Sequence, residues 1–433
     1  MRYLAASDEP MLAFDTRAEF DFSALQQQYP KTLFANGELP KAWHKWITRV
    51  VLSPGICRLE PWVQALSDRG IEIVGDIELF ARAASQPIVA ITGSNGKSTV
   101  TTLVGEFLQQ AGYNVGVGGN IGLPALDLLM DANDYEVYVL ELSSFQLETT
   151  YSLHTASATV LNISEDHMDR YSGLEAYIQA KAIVYNDTEL AVIPRGYEDQ
   201  LWITQQIKRV YFGLTQPASA EDYGVVMHDN QAWLGRDHHA WFAVNDMALN
   251  APHHQLNALA AMALCQPFDI DPSVFAEVLQ RFTGLAHRTQ LVIEHQGIQW
   301  IDDSKGTNVG ATLAAVQSLG QQCGPNGRLI LLAGGVGKEA DFTPLTPVVA
   351  QYCRQVVLFG RDAPLIEKAL TGHVALQKVD DLVQAISLAQ QLALPGDIVL
   401  LSPACASFDQ FENYHDRGEK FALWVKQALG VEA

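Results

Sequence analysis

Ala90-Ile91-Thr92-Gly93-Ser94-Asn95-Gly96-Lys97-Ser98-Thr99 is the stretch that decides how this chain is read. The apolar residues 87–91 predict a buried strand running into it, and Val100, Leu103, Val104, Phe107 and Leu108 predict a helix running out of it. Strand, small-residue loop, Gly-Lys-Ser-Thr and helix together form a phosphate cradle. Loop N–H groups and the helix N-terminus face the anion, the lysine supplies a point charge, and the hydroxyl can hold Mg²⁺. The usual pattern has a further glycine five positions before Gly96, where this chain has Ile91, so only the shorter form stands here. An ordinary strand-to-helix turn with an exposed lysine would use the same letters. The flanking strand and helix favour a nucleoside triphosphate, ATP, and Gly93, Ser94, Asn95, Gly96, Lys97, Ser98 and Thr99 are its expected contacts.

A chain of 433 residues exceeds one compact core, and two or three domains of ~100–200 residues are expected. Hydrophobic content of 48% with 18% charged residues describes an ordinary globular protein. The net charge of −21 argues against a nucleic-acid partner, which needs basic faces, but not against a nucleotide held by loop amides and a few cations. The five cysteines are widely spaced without a Cys-x-x-Cys pair, which fits reduced thiols and no zinc cluster or disulfide framework. No apolar run is long enough for a bilayer and no signal segment opens the chain, so a cytoplasmic protein without a membrane partner, working as a monomer, is expected.

Three α/β units follow along the chain. Residues 1–76 alternate strand and helix patterns, with strands at Met11-Leu12-Ala13-Phe14, Arg49-Val50-Val51-Leu52 and Ile71-Glu72-Ile73-Val74, as in an open parallel sheet. Residues 77–284 form a larger unit, in which 135–140 and 158–163 read as buried parallel strands delivering polar groups at their ends. The choppy text from 190 to 244 predicts an antiparallel insert or edge. Residues 285–433 hold three strands, 328–333, 355–359 and 397–401, each ending in small or charged residues, which predicts a Rossmann-like sheet.

Several positions carry chemistry. Glu141 ends a strong strand beside the phosphate loop, where a carboxylate can meet Mg²⁺; a helix N-terminal glutamate would look the same. His167, in Ser164-Glu165-Asp166-His167-Met168-Asp169-Arg170, follows a buried strand within a cluster of charges and suits a metal or phosphate as well as a structural role. Lys181 reads locally as a solvated helix charge. Asp302-Asp303-Ser304-Lys305-Gly306-Thr307-Asn308 packs acids, a lysine, hydroxyls and an amide into one turn, suited to a polar substrate or to a capped helix start. His287-Arg288 offers a second phosphate-binding cation, and Gly335-Val336-Gly337-Lys338 a weak anion loop.

Taken together the chain resembles the Mur ligase family. The resemblance rests on Ile73-Val74-Gly75-Asp76-Ile77-Glu78-Leu79-Phe80, the phosphate loop, Gly118-Gly119-Asn120-Ile121-Gly122, 140–148, 165–170, Asp303-Ser304-Lys305, Thr307-Asn308 and Ser402-Pro403-Ala404-Cys405-Ala406-Ser407. It implies an α/β fold of three domains: a Rossmann-like N-terminal unit, a central P-loop-type ATPase unit and a Rossmann-like C-terminal unit. It implies an ATP-dependent ligase that activates UDP-N-acetylmuramoyl-L-alanine as an acyl phosphate and joins it to D-glutamate, using two Mg²⁺ ions. Lys97, His167, Lys181 and Lys305 would be catalytic. Ser98 and Glu141 would hold one Mg²⁺, and His167 with a carbamoylated Lys181 the other. Asn257, Arg288 and Asp303 fall on ATP-site positions. Asp15, Thr16, Arg17, Ser53, Pro54, Gly55, Asn120 and His167 would meet the uridine-nucleotide substrate. Thr307, Lys338, Ser407, Phe408 and Tyr414 would meet D-glutamate.

The chain departs from the family's pattern in places. The family opens with a strand and a glycine-rich loop, whereas Met1-Arg2-Tyr3-Leu4 already reads as the following helix, so that strand and loop are expected to be missing. Val336 stands where an acid is common, and His254 where asparagine is usual. Two other readings remain: a family member adding meso-diaminopimelate or L-lysine, and a nucleotide-binding protein without ligase activity.

Overall fold

The computed structural model describes every residue except 7–8, 202, 204–205, 325–326 and 432–433. After a short helix, Arg2–Ala5, the amino-terminal strands are β1 (Leu12–Asp15), β2 (Leu33–Asn36), β3 (Arg49–Val51) and β4 (Glu72–Val74). They do not make one open sheet as expected. β1 pairs in parallel with β2, β3 pairs in parallel with β4, and the two pairs are separate. A cavity of about 440 Å³ is lined by Met11, Leu12 and Phe14 at β1 and by residues 49–52 at β3, together with Trp43, Trp46 and Trp62. The strand β2 was not expected, because its partly exposed residues show no clean apolar alternation.

The helix Asp76–Ala83 leads into the central unit. Ile77 and Phe80 enter the core of the large sheet, and Glu78 accepts hydrogen bonds from the backbone N–H groups of Tyr151 and Ser152 at 2.7 and 2.9 Å. The strands of that sheet are β5 (Ile88–Thr92), β6 (Val115–Gly119), β7 (Val137–Glu141), β8 (Ser157–Val160), β9 (Leu190–Pro194), β10 (Lys208–Phe212), β11 (Tyr223–His228), β12 (Gln231–Arg236) and β13 (His239–Ala243). Their spatial order is β13-β12-β11-β10-β9-β8-β5-β7-β6. Every pair from β6 to β11 is parallel, and only β11-β12-β13 is antiparallel. The antiparallel expectation for 190–244 therefore applies to its last three strands alone. β5 is buried along its whole length, as a parallel strand covered on both faces must be. The chain leaves β5 toward β6 and β7, then returns to β8 on the other side. That reversal opens a crevice at the carboxyl end of β5, the usual place for a ligand in such sheets.

The last unit is a six-stranded sheet of β14 (Gln290–His295), β15 (Ile298–Asp302), β16 (Leu329–Gly334), β17 (Cys353–Phe359), β18 (Leu376–Lys378) and β19 (Ile398–Leu401). Its order is β14-β15-β19-β16-β17-β18, parallel except for the β14–β15 hairpin. Separate apolar clusters cover its two faces. Among the described residues no helix is long and apolar enough to cross a membrane.

Candidate active site

The phosphate loop is shaped by two glycines. Gly93 has φ +144°, and a Cβ there would lie 3.0 Å from the Cβ of Leu161. Gly96 has φ +82° and caps the helix Lys97–Gln110 in the left-handed conformation, 2.6 Å from Asn257 Oδ1 if it carried a Cβ. The loop is strapped to the segment after β8. Ser94 N–H donates to the Asn162 carbonyl and Asn95 N–H to Asn162 Oδ1, both at 2.9 Å, and Asn162 Nδ2 returns a bond to the Asn95 carbonyl. Two loop amides expected to face an anion are therefore turned to a neighbouring segment. The first turn of the helix from Lys97, whose N–H groups lack intrahelical partners, presents the anion cradle instead.

Two lysines converge on one carbonyl. Lys97 Nζ donates to Gly93 O at 2.8 Å and to Ser94 O at 3.0 Å, and Lys181 Nζ donates to the same Gly93 O at 3.0 Å. Lys181 is 2% exposed, so it is no solvated helix charge. Burial, with Lys97 adding repulsion, holds its ammonium well below the ordinary lysine value, which favours the neutral amine. Burial lowers Lys97 too, partly offset by Glu141 and Asp166.

Glu141 ends β7 and is buried. Its Oε1 accepts from Asn120 Nδ2 at 2.8 Å, while Oε2 is buried with no hydrogen-bond partner among the described residues. Ser98 Oγ accepts from Arg288 Nη2 at 3.0 Å. A hard cation with one or two protein oxygens, water and phosphate fits this donor set. Among the described residues no three His, Cys, Asp or Glu side chains are grouped to hold a metal ion. His167 has φ +59°, unusual for a residue with a Cβ, and burial pulls its imidazole down to about 4, so the ring is neutral and able to ligate.

Two cavities meet at the loop. One of about 320 Å³ is lined by Ser94, Gly96, Lys97, Ser98, Asn120, Glu141 and His167 from the central unit, and by Lys305, Thr307, Lys338, Ser407, Phe408 and Tyr414 from the last. The other, about 300 Å³, is lined by Asn95, Gly96, Thr99, Asn257, Arg288, Asp303 and Lys305, together with His253 and His254. Arg288 and Lys305 line both. Lys305 Nζ lies 3.8 Å from the Tyr414 ring centroid, and burial brings it down to about 7. Burial raises Asp303 to about 7 despite hydrogen bonds from Ser402 Oγ at 2.7 Å and Thr289 N–H.

Other candidates sit elsewhere. Asp15 and Arg17 form an exposed ion pair of 2.7 Å at the end of β1, with Thr16 between them, outside both cavities. Ser53 lines the cavity of the amino-terminal unit, and Pro54 and Gly55 continue the same loop. Three residues not singled out also bind the site together. Asn162 straps the loop. Asp166 accepts from Lys338 Nζ at 3.0 Å across the two larger units. Asn308 caps its own helix and reaches Asn95 Oδ1 at 3.1 Å. The only sequence signal for Asn162 is its place just after an apolar strand. Asp166 and Lys338 lie 172 residues apart, beyond any local pattern.

Residues 91–265 match the Mur ligase middle domain and residues 287–405 the Mur ligase glutamate ligase domain. The chain belongs to the Mur ligase family. Over 434 aligned residues, covering 100% of this chain and 96% of the relative, it is 56% identical to the UDP-N-acetylmuramoylalanine--D-glutamate ligase of Hydrogenovibrio crunogenus. It is 46% identical to the enzyme of that name from Pseudomonas aeruginosa over 431 residues, 99% of this chain and 95% of that one. The fold is also that of the UDP-N-acetylmuramate-alanine ligase of Thermotoga maritima, with a TM-score of 0.60 at 17% identity over 97% of this chain and 100% of that one.

Proposed function

We propose that this chain joins D-glutamate to UDP-N-acetylmuramoyl-L-alanine at the expense of ATP, in the synthesis of peptidoglycan precursors in the cytoplasm. The observation that carries the reading is one cleft in which a phosphate loop, a carboxylate with an unpartnered oxygen and the Lys338, Thr307 and Ser407 side chains face each other. Relatives named for that activity, alike along the whole chain, support the same assignment.

The chemistry follows from the difficulty of making an amide from a carboxylate. The alanyl carboxylate oxygen takes the terminal phosphoryl group of ATP, and the ATP bridge oxygen leaves with ADP. The amine nitrogen of D-glutamate then attacks the activated carbonyl carbon, the C–O bond to phosphate breaks, and the amine loses its proton. Lys97 gives up its bonds to Gly93 and Ser94 to meet the phosphoryl oxygens, while Arg288 and Lys305 stand between the two cavities to offset charge. Lys338 and Ser407 grip the carboxylates of the amino acid. Magnesium held by Ser98 and Glu141, with a second ion near His167, would draw charge from the phosphoryl oxygens. Lys181, whose ammonium form burial disfavours, would react through its free amine with carbon dioxide and lose a proton, which gives a carbamate able to meet the second ion. The chain acts as a monomer in this reading.

Orthophosphate release with UDP-N-acetylmuramoyl-L-alanine and D-glutamate tests the reading, with meso-diaminopimelate and L-lysine as competitors. Oxygen label in the alanyl carboxylate is expected to appear in the orthophosphate. Release that is independent of the uridine nucleotide, or label confined to the product, refutes it.

A further inference from the structure

Arg170 lies three residues after His167, and its backbone N–H donates to the His167 carbonyl at 2.9 Å. Its side chain is 13% exposed and crosses into the amino-terminal unit. Nη1 donates to the Pro54 carbonyl at 2.8 Å and Nη2 to the Ile56 carbonyl at 3.1 Å. Glu148 stands 3.5 Å from Nη2, and the guanidinium carbon lies 3.9 Å from the Phe145 ring centroid. That ring meets the His167 imidazole edge-on, with centroids 4.7 Å apart. Nε is buried and has no acceptor among the described residues, so the grip rests on the two terminal nitrogens.

One side chain thus ties the loop after β3 to the turn that carries His167. Only a planar fork can reach two carbonyls two residues apart while stacking on an aromatic face; an ammonium is a single point charge. We propose that Arg170 is a positioning residue for the uridine-nucleotide substrate. It sets the 53–56 loop at a fixed distance from the cleft, so that a substrate anchored on the amino-terminal unit delivers its carboxylate to the phosphoryl-transfer site. The inference rests on the proposed function and on the family resemblance's reading of Ser53, Pro54 and Gly55 as contacts of the uridine nucleotide.

The test uses the full chain with Arg170→Lys and Arg170→Ala. Steady-state constants are measured for the uridine nucleotide, D-glutamate and ATP, and backbone hydrogen exchange is followed over residues 52–58. KM for the uridine nucleotide is expected to rise on the order of tenfold in the lysine variant, and ATP KM to stay within about twofold. Exchange in the 53–56 loop is expected to quicken in both variants. Unchanged exchange in that loop, or ATP KM rising as much as nucleotide KM, overturns the inference. Should the alanine variant fail to fold, the lysine variant carries the test. A wild-type chain that does not turn over these substrates counts against the proposed function, whereas loop exchange indifferent to Arg170 counts against Arg170.

Discussion

Replacing Gly96 by alanine tests the loop geometry most directly. At φ +82° an alanine costs about 1–2 kcal/mol of backbone strain. Its Cβ would also lie 2.6 Å from Asn257 Oδ1 and 3.5 Å from Leu161 Cδ1. Asn257 must then back away to about 3.4 Å, the edge of ordinary contact, and it lines the same cavity as Arg288 and Asp303, which with it fall on the ATP-site positions that the family resemblance implies. Loss of one well-placed polar contact there is worth ~1 kcal/mol, about fivefold to tenfold in affinity. Gly112→Ala is the control: φ is +99°, but nothing lies within 4 Å of its Cβ, so it carries strain without displacement. Both variants should lower the melting temperature by roughly 2–8 °C, taking 2–4 °C for each kcal/mol in a unit of this size. Only Gly96→Ala should weaken ATP binding, read by titration calorimetry. Wild-type ATP affinity in Gly96→Ala, or equal weakening in Gly112→Ala, refutes the reasoning.

Three further outcomes are expected. Glu141→Gln keeps an oxygen for Asn120 but removes the charge behind the unpartnered Oε2, so the Mg²⁺ concentration for half-maximal activity should rise about tenfold or more, while D-glutamate KM should hardly move. Ser402→Ala removes the hydroxyl that favours the charged form of Asp303; that carboxyl, already near 7, should titrate higher, and the pH dependence of ATP KM should move toward alkaline pH by up to about one unit. His287 is drawn above 6.5 by the Asp302 carboxylate 2.7 Å away. It binds its proton more tightly folded than unfolded, so its contribution is whole below pH 6.5 and is lost as pH rises through the folded value. The melting-temperature gap between wild type and His287→Asn should shrink from pH 6 to pH 8; a constant gap would count against the ion pair.

The strand–loop–helix around Lys97 was legible because its signals are local: a run of buried apolar residues, two glycines with positive φ and a helical period. The three α/β units were legible for the same reason. Sheet order was not, since the separation of β1-β2 from β3-β4 is a fact about distant pairing. Lys181 shows the limit most clearly. Its helix carries no strong apolar stripe, and nothing near it in sequence says that its face meets Gly93, 88 residues earlier. The family resemblance singled out that lysine where physical reading of neighbours could not. Asp166 stands in the charge cluster around His167, but nothing local points to its partner, a lysine of another unit 172 residues away.

The division of the amino-terminal strands has a practical consequence. Each parallel pair has only two strands and does not pair with the other, so each gains less from shared hydrogen bonding than the nine- and six-stranded sheets. That unit is therefore expected to open before the two larger sheets on warming, which faster hydrogen exchange over residues 12–15 and 49–51 than over 88–92 would show.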